Sequence, residues 1–400
     1  MDIKRNTRKR NILYALLQGG YWMQYGTALS FASVIMLNRG YTDSQIGVII
    51  AFGNIPAIIL QHALSHFADK SKKVSLAAIL IVMYLLEAVA YAGELLTKHA
   101  GAMFTISIIM LTVIAASTQG FVNAMSHRLE TDEIKVNFGI GRSAGSFMFA
   151  IISLVIGHLA EKLNPDVIPT IGFAVCAYLI AVLVIISLSA DTTSKAVEKT
   201  GTQAKESFFA FFSRYKLFFV VLLGCMGFYL SHSYINNFFY QVVVDVGGNK
   251  ADLGGILSFA AVTEVLPMFF YSRLEKKFGT KLLLFVSGVF FLIKSLITLI
   301  AWNVAGVYAG TFFQMLSFSL FIPASVSFVA QLMNEEDAVR GQSLVTIMIN
   351  IAFLIASFSG GFLMDNISVK AMVLVGTLTS VAGVTLLGLI LRKFDLKKTA

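Results

Sequence analysis

Charge is what this 400-residue chain has least of: Asp, Glu, Lys and Arg make up 13% of it, where a soluble globular domain carries about 25%. Cysteine is nearly absent. Cys176 and Cys225 lie in apolar runs without metal-ligand spacing, which leaves no disulfide framework and no cysteine metal centre. Proline is limited to five residues, of which Pro56, Pro267 and Pro323 fall inside apolar runs and mark helices that bend. No HExxH, P-loop or correctly placed GxGxxG sequence occurs, so nothing points to a metal, a nucleotide or a redox cofactor. The G-x-S-x-G match at residues 141–145 is enclosed by an apolar helix, whereas a nucleophile elbow needs a strand before it. The expectation is a protein that is not an enzyme and holds no cofactor.

Hydrophobic residues, in contrast, are 57% of the chain and mean hydropathy is +0.78. A helix crossing the hydrocarbon core takes about 20 apolar residues. Twelve such runs can be drawn, near 11–37, 44–65, 74–97, 101–127, 138–160, 167–189, 217–244, 252–273, 281–301, 304–333, 341–362 and 370–391. The expected fold is all-α and integral to the membrane, with no soluble domain.

The net charge of +9 is explained by its distribution. With the N-terminus inside, 24 basic residues fall on the inner side and five (Arg39, Lys98, Lys162, Lys250 and Lys370) on the outer side. That asymmetry puts both termini in the cytoplasm of a multi-pass cell-membrane protein and leaves no role for nucleic acid. The start, MDIKRNTRKR, imitates a secretory signal, but its apolar run is too long, so it reads as an uncleaved first helix.

The long polar stretch from Ala190 to Lys216 separates six runs from six. The expected organisation is a six-helix bundle over 1–190, a cytoplasmic loop over 191–216 and a second six-helix bundle over 217–400. The halves echo one another: TDSQIGVII with ADLGGILSF, and FADKSKK with LEKKFGTK. Equivalent runs point the same way, which indicates two pseudo-symmetric parallel repeats.

Four charges interrupt the apolar runs: Glu87, Arg142, Glu264 and Lys294. A charge at the centre of a membrane helix costs roughly 2.5–3.5 kcal/mol on insertion scales, so such residues face a wet pathway or a partner. Polar stripes accompany them. Gln18, Tyr21 and Tyr25 share a helical face, as do Tyr229, His232, Asn236 and Tyr240. Asn123 and Ser126, Arg142 with Ser146 and Phe149, Gln314 with Ser317, and Asn350 with Ser357 form others. Single polar residues commonly glue helices together; their recurrence in both halves favours an aqueous pathway. Glu264, one turn from Pro267, is the carboxyl best suited to proton exchange, with Glu87 and His232 behind it, and Lys294 is expected to take part in the proton coupling with Glu264 and Glu87.

On these residues the chain resembles the major facilitator superfamily. FADKSKK is a degraded form of its signature G-x-L-x-D-R-x-G-R-K; Asp69 keeps the acidic position of that conformational loop, and Ser65 replaces a glycine. Phe138, Gly139, Arg142 and Gly145, with RGQ at 340–342 and GGFLMD after them, are similar to the lactose-permease-like oligosaccharide and nucleoside proton symporters. The resemblance implies that Arg142 binds substrate, that Phe149 is the platform under a ring, and that Glu264 joins binding to coupling. Lys294 stands where that group has an arginine. Asn123, Gln314 and Ser317 stand where it has titratable groups, so its own proton relay is not reproduced. The implied function is alternating-access transport of a small organic solute (sugar, nucleoside or organic anion), coupled to protons, by a monomer in the bilayer. Gln18, Tyr21, Tyr25, His232, Asn236, Gln314 and Asn350 are expected to line the solute's path. Two alternatives stand beside this. One is export of sugars or amphiphilic drugs, which 34 Phe and 15 Met would suit; the other is a non-transporting receptor or lipid-handling protein.

Overall fold

The computed structural model describes residues 2–70, 74–131, 133–189 and 208–394, and it is all-α. The first half runs α1 (Asp2–Tyr25), α2 (Ala32–Asn38), α3 (Asp43–Lys70), α4 (Leu76–Leu96), α5 (Ala102–Arg128), α6 (Phe138–Lys162) and α7 (Val167–Ser189). After the polar stretch come α8 (Phe208–Arg214), α9 (Lys216–Asn237), α10 (Phe239–Asp245), α11 (Lys250–Phe278) and α12 (Thr280–Ile300). The chain ends with α13 (Val304–Phe312), α14 (Phe318–Leu332), α15 (Glu335–Asn366) and α16 (Val369–Ile390). Among the described residues, 11 helices are long and apolar enough to cross a membrane.

The run expected first, 11–37, is divided between α1 and α2 by a π-helical turn over Gly26–Ser30. Thr27 Oγ1 donates to the Gln24 carbonyl at 2.9 Å. A hydroxyl that takes a carbonyl of the preceding turn loosens the backbone ladder, and wide turns of this kind recur at functional positions. The tenth run is also broken, here by a tighter turn: α13 passes through a 3-10 turn, Phe313–Met315, before α14 begins. Helix starts follow local chemistry. Ser75, Asn137, Asn303, Asn334 and Ser368 each cap a following helix by accepting a backbone N–H at 2.8–3.1 Å.

By compactness the chain divides into two units, Met1–Glu198 with Asn249–Ala261, and Lys199–Gly248 with Val262–Ala400. In the first, α1 packs on α6 and α7, α4 on α5 and α7, and α3 on α5. Its core holds Tyr14, Leu17, Tyr21, Leu80, Tyr84, Val122 and Leu183. In the second, α9 packs on α15 and α16, and α12 on α14 and α16. Gly227 and Gly383 let α9 and α16 touch backbone to backbone: a Cβ on Gly227 would sit 2.7 Å from the Thr379 carbonyl oxygen, the close approach that small residues give membrane helices. The outer surface is apolar, with Val89, Leu188, Phe269 and Leu389 all exposed, as a lipid-facing surface must be.

Candidate functional site

In the first unit, α1, α5 and α6 gather the expected polar residues into two groups. Gln18 is buried and its Nε2 donates to the Tyr14 hydroxyl at 2.8 Å and to Asn123 Oδ1 at 2.9 Å. Tyr21, also buried, donates to the Ala115 carbonyl at 3.2 Å. These bonds tie α1 to α5. The second group is half-buried. Arg142 donates to Ser146 one turn along α6 at 2.9 Å, and its guanidinium carbon lies 4.1 Å from the centre of the Trp22 ring. Trp22 meets Phe149 edge-on at 6.2 Å and Tyr25 at 5.2 Å, so the arginine sits on a three-ring aromatic cluster. A guanidinium laid on an aromatic face has the geometry to hold oxygens of an anionic or polyhydroxylated solute in a fixed plane.

Glu87 is elsewhere in that unit. It is fully buried on α4 and accepts from Gln24 Nε2 at 2.5 Å; on the same face Tyr91 pairs with Thr27 at 2.8 Å. Toward the loops, Arg39 bonds Asp166 and the Glu94 carbonyl, and Lys98 bonds the other Asp166 oxygen at 2.7 Å. Asp69 lies in the last turn of α3, and its side chain is outside the described residues.

The second unit joins five of the expected residues in one chain of hydrogen bonds. Glu264 Oε1 on α11 accepts from Gln314 Nε2 at 2.5 Å. Gln314 Oε1 accepts from Lys294 Nζ on α12, also at 2.5 Å. Lys294 then lies 3.3 Å from Asn236 Oδ1 and 3.4 Å from His232 Nδ1, both on α9, and Asn236 Nδ2 is 3.0 Å from His232 Nε2. The 3-10 turn between α13 and α14 presents the amide that bridges acid and amine. Lys294 is 1% exposed and His232 6%. Glu264 is only half-buried. Phe318 stacks on the imidazole at 5.3 Å and Phe291 meets it edge-on at 5.2 Å. Asn350 is half-buried on α15 and is not hydrogen-bonded to this chain.

Two participants escaped the sequence reading. Trp22 shares the helical face of Gln18 and Tyr25, and that spacing was the available signal. Gln24 sits off that face and reveals itself only through Glu87.

The sequence pattern of the MFS_1-like family matches residues 14–375. The chain belongs to that family. It is therefore a major facilitator transporter, and its fold agrees. Over 380 residues it is 24% identical to "Uncharacterized transporter YwbF" of Bacillus subtilis (strain 168), covering 92% of this chain and 91% of that one. Among solved structures, a mutant of the nucleoside transporter NupG superposes with a TM-score of 0.78 at 16% identity, covering 97% of this chain and all of that one. The POT family transporter PepTSo superposes with a TM-score of 0.73 at 9% identity, over 96% and 98% of the two chains. At these identities the two structures show the fold, which is that of the family.

Proposed function

We propose that this family member is a proton-coupled symporter of a small polar or anionic organic solute, working by alternating access as a monomer in the cell membrane with both termini cytoplasmic. The observation that carries the reading is the Glu264–Gln314–Lys294 chain. It sets an acid and an amine within one shared amide of each other, inside a helical bundle where an isolated charge is expensive. An acid and a base so linked can change their joint charge by one proton without stranding either group. Arg142 over Trp22 supports the solute side of the reading, since it keeps a cation and an aromatic face together in the other unit. The nucleoside transporter NupG shares the fold, which adds nucleosides to the sugars and organic anions as solutes to try first.

The test begins with thermal stabilisation of the purified protein by those three solute classes. The ligand found is then followed into liposomes under an imposed proton gradient. Accumulation against its own gradient is expected from the natural protein, and Glu264→Gln should abolish it while leaving solute-for-solute exchange. Downhill movement insensitive to the proton gradient would make the protein a uniporter and overturn the coupling.

A further inference from the structure

Lys294, His232 and Asn236 form a closed triangle of contacts, and its donors and acceptors can be counted. An ammonium has three donors and no acceptor, a neutral imidazole one donor and one acceptor, and an amide one end of each kind. Suppose that Lys294 is charged. It must then meet the amide oxygen of Asn236, which turns the amide nitrogen toward His232 Nε2. That ring nitrogen must accept, so the ring proton is on Nδ1, where it points at the ammonium 3.4 Å away. Turning the amide over moves the clash to the Lys294–Asn236 side. Moving the ring proton to Nε2 moves it to the Asn236–His232 side. A charged imidazole adds a clash. With the ring placed as it is, no amide orientation or tautomer frees the triangle of a donor facing a donor when Lys294 is an ammonium. This count does not depend on which amide orientation or tautomer is chosen, and those are assigned rather than observed.

With an uncharged amine the count closes. His232 Nδ1–H donates to the lone pair of Lys294, and the two amine hydrogens go to Asn236 Oδ1 and to Gln314 Oε1. Gln314 keeps the one orientation that also gives Glu264 a donor. Every polar contact in the chain is then satisfied.

We infer that Lys294 is the proton carrier of this site: an amine when the triangle is closed, as here, and an ammonium when it opens. The inference rests on the proposed symport and moves the exchanging proton from Glu264 to Lys294. On closing, the ammonium releases one proton to water and its lone pair takes the His232 Nδ1–H. On opening, Lys294 loses that donor and rebinds one proton from water, and Glu264 is its counter-charge through Gln314. A solute oxygen that enters between Lys294 and His232 accepts from both, which ties proton uptake to binding of a solute with an acceptor group. The ionisable groups facing Lys294 are His232 on α9, with Tyr229 beside it, and Glu264 on α11. Of the other helices near it, α14 has no ionisable residue, α13 has only Tyr308, α10 has Tyr240 and, at its far end, Asp245, and α16 has only Lys370 in its first turn. The Phe239 ring centre lies 5.9 Å from Nζ, at the outer limit of a cation–π contact.

The test needs no solute. In protein labelled at lysine Nζ with nitrogen-15, purified into nanodiscs near neutral pH, one resonance should have the shift of an amine among ammonium signals, and it should be missing from Lys294→Arg. Finding only ammonium resonances in the natural protein would overturn the inference. A second readout is the pH dependence of thermal unfolding. A lysine that is neutral folded and charged unfolded makes the unfolded state hold one more proton, so stability rises with pH in that range. Relative to Lys294→Met, the unfolding equilibrium constant of the natural protein should fall by up to about tenfold per pH unit. Parallel pH profiles would overturn the assignment. Lys294→Arg cannot lose its proton and should be the less stable at every pH. These outcomes place the proton only; symport itself stands or falls with gradient-driven uptake.

Discussion

Replacing Gln314 by leucine keeps the bulk of the side chain and removes the amide that joins Glu264 to Lys294. The two ends of the broken bridge differ in their response. Glu264 is half-buried and can exchange the lost donor for water at little cost. Lys294, at 1% exposure, cannot, and one of its three polar partners is gone. Leaving one buried polar group short of a partner costs about 1–3 kcal/mol, and hydrogen bonds between membrane helices average nearer 0.6 kcal/mol. The expected loss for Gln314→Leu is therefore about 1–2 kcal/mol, nearly all of it from the lysine side. Thermal unfolding in detergent reads it as a fall in Tm of a few degrees, on the order of 2–4 °C per kcal/mol. The decisive form is a double-mutant cycle with Lys294→Met, in which the second substitution should cost about 1 kcal/mol less once the first is made. The same cycle against Glu264→Gln should show a smaller coupling. Strict additivity of Gln314→Leu with Lys294→Met, within about 0.5 kcal/mol, would refute the bridge.

Much of the architecture was legible because lipid imposes a simple rule. Apolar runs of helix-spanning length had to become helices, and 11 such spans stand among the described residues. The break at Gly26–Ser30 was not legible. It depends on Thr27 taking the Gln24 carbonyl and on its pairing with Tyr91, a tertiary contact no periodicity encodes. Nor does composition divide the chain as compactness does, with Asn249–Ala261 grouped in the first unit. There Gly254 lies against the Ser153 carbonyl and Gly157 with no room for a side chain, and contact between two glycines leaves no hydrophobic signature.

For the site, charge was the informative signal. Arg142, Glu264 and Lys294 stood out because each is costly in an apolar helix, and the last two meet through one amide. Trp22 did not stand out, since an aromatic ring in a span is inexpensive and its role under Arg142 emerges only when α1 and α6 pack. Gln314 was visible as a polar residue in a run. Its bridging position follows from the 3-10 turn that interrupts the helix, and the donor count around Lys294 required partners from two other elements, α9 and that turn.

Arg142→Lys keeps the charge but loses the planar stack on Trp22 and the fork of donors; affinity for the identified solute should fall about 2- to 30-fold, the range of a cation–π contact, with Tm unchanged, and unaltered calorimetric affinity would refute a binding role. Gly383→Ala forces a methyl between α16 and α9, where Gly224 and Phe228 backbone atoms already fill the space, and should cost about 1–3 kcal/mol, measured by thermal unfolding. Cysteine placed at Lys195 should react with an impermeant maleimide only from the cytoplasmic side, and at Lys370 only from the outer side; the reverse pattern would invert the topology. The last prediction concerns Asp166, between α6 and α7. Partial burial pushes its carboxyl pKa up, but hydrogen bonds from Lys98 and Arg39 and their positive charges outweigh this and hold it below the usual aspartate value. A carboxyl whose pKa is lower folded than unfolded contributes stability above its unfolded pKa, and that contribution is lost as pH falls through the folded value. The pair is partly open to solvent, with 28% of the Asp166 side chain exposed, so the contribution is at most about 1 kcal/mol. Asp166→Asn should therefore lower Tm at neutral pH, and the difference from the natural protein should shrink steadily below about pH 4. A Tm difference that stays constant down to the acid limit of folding would mean that the loss does not come from the charge of the carboxylate, and the electrostatic account of this clasp would fail.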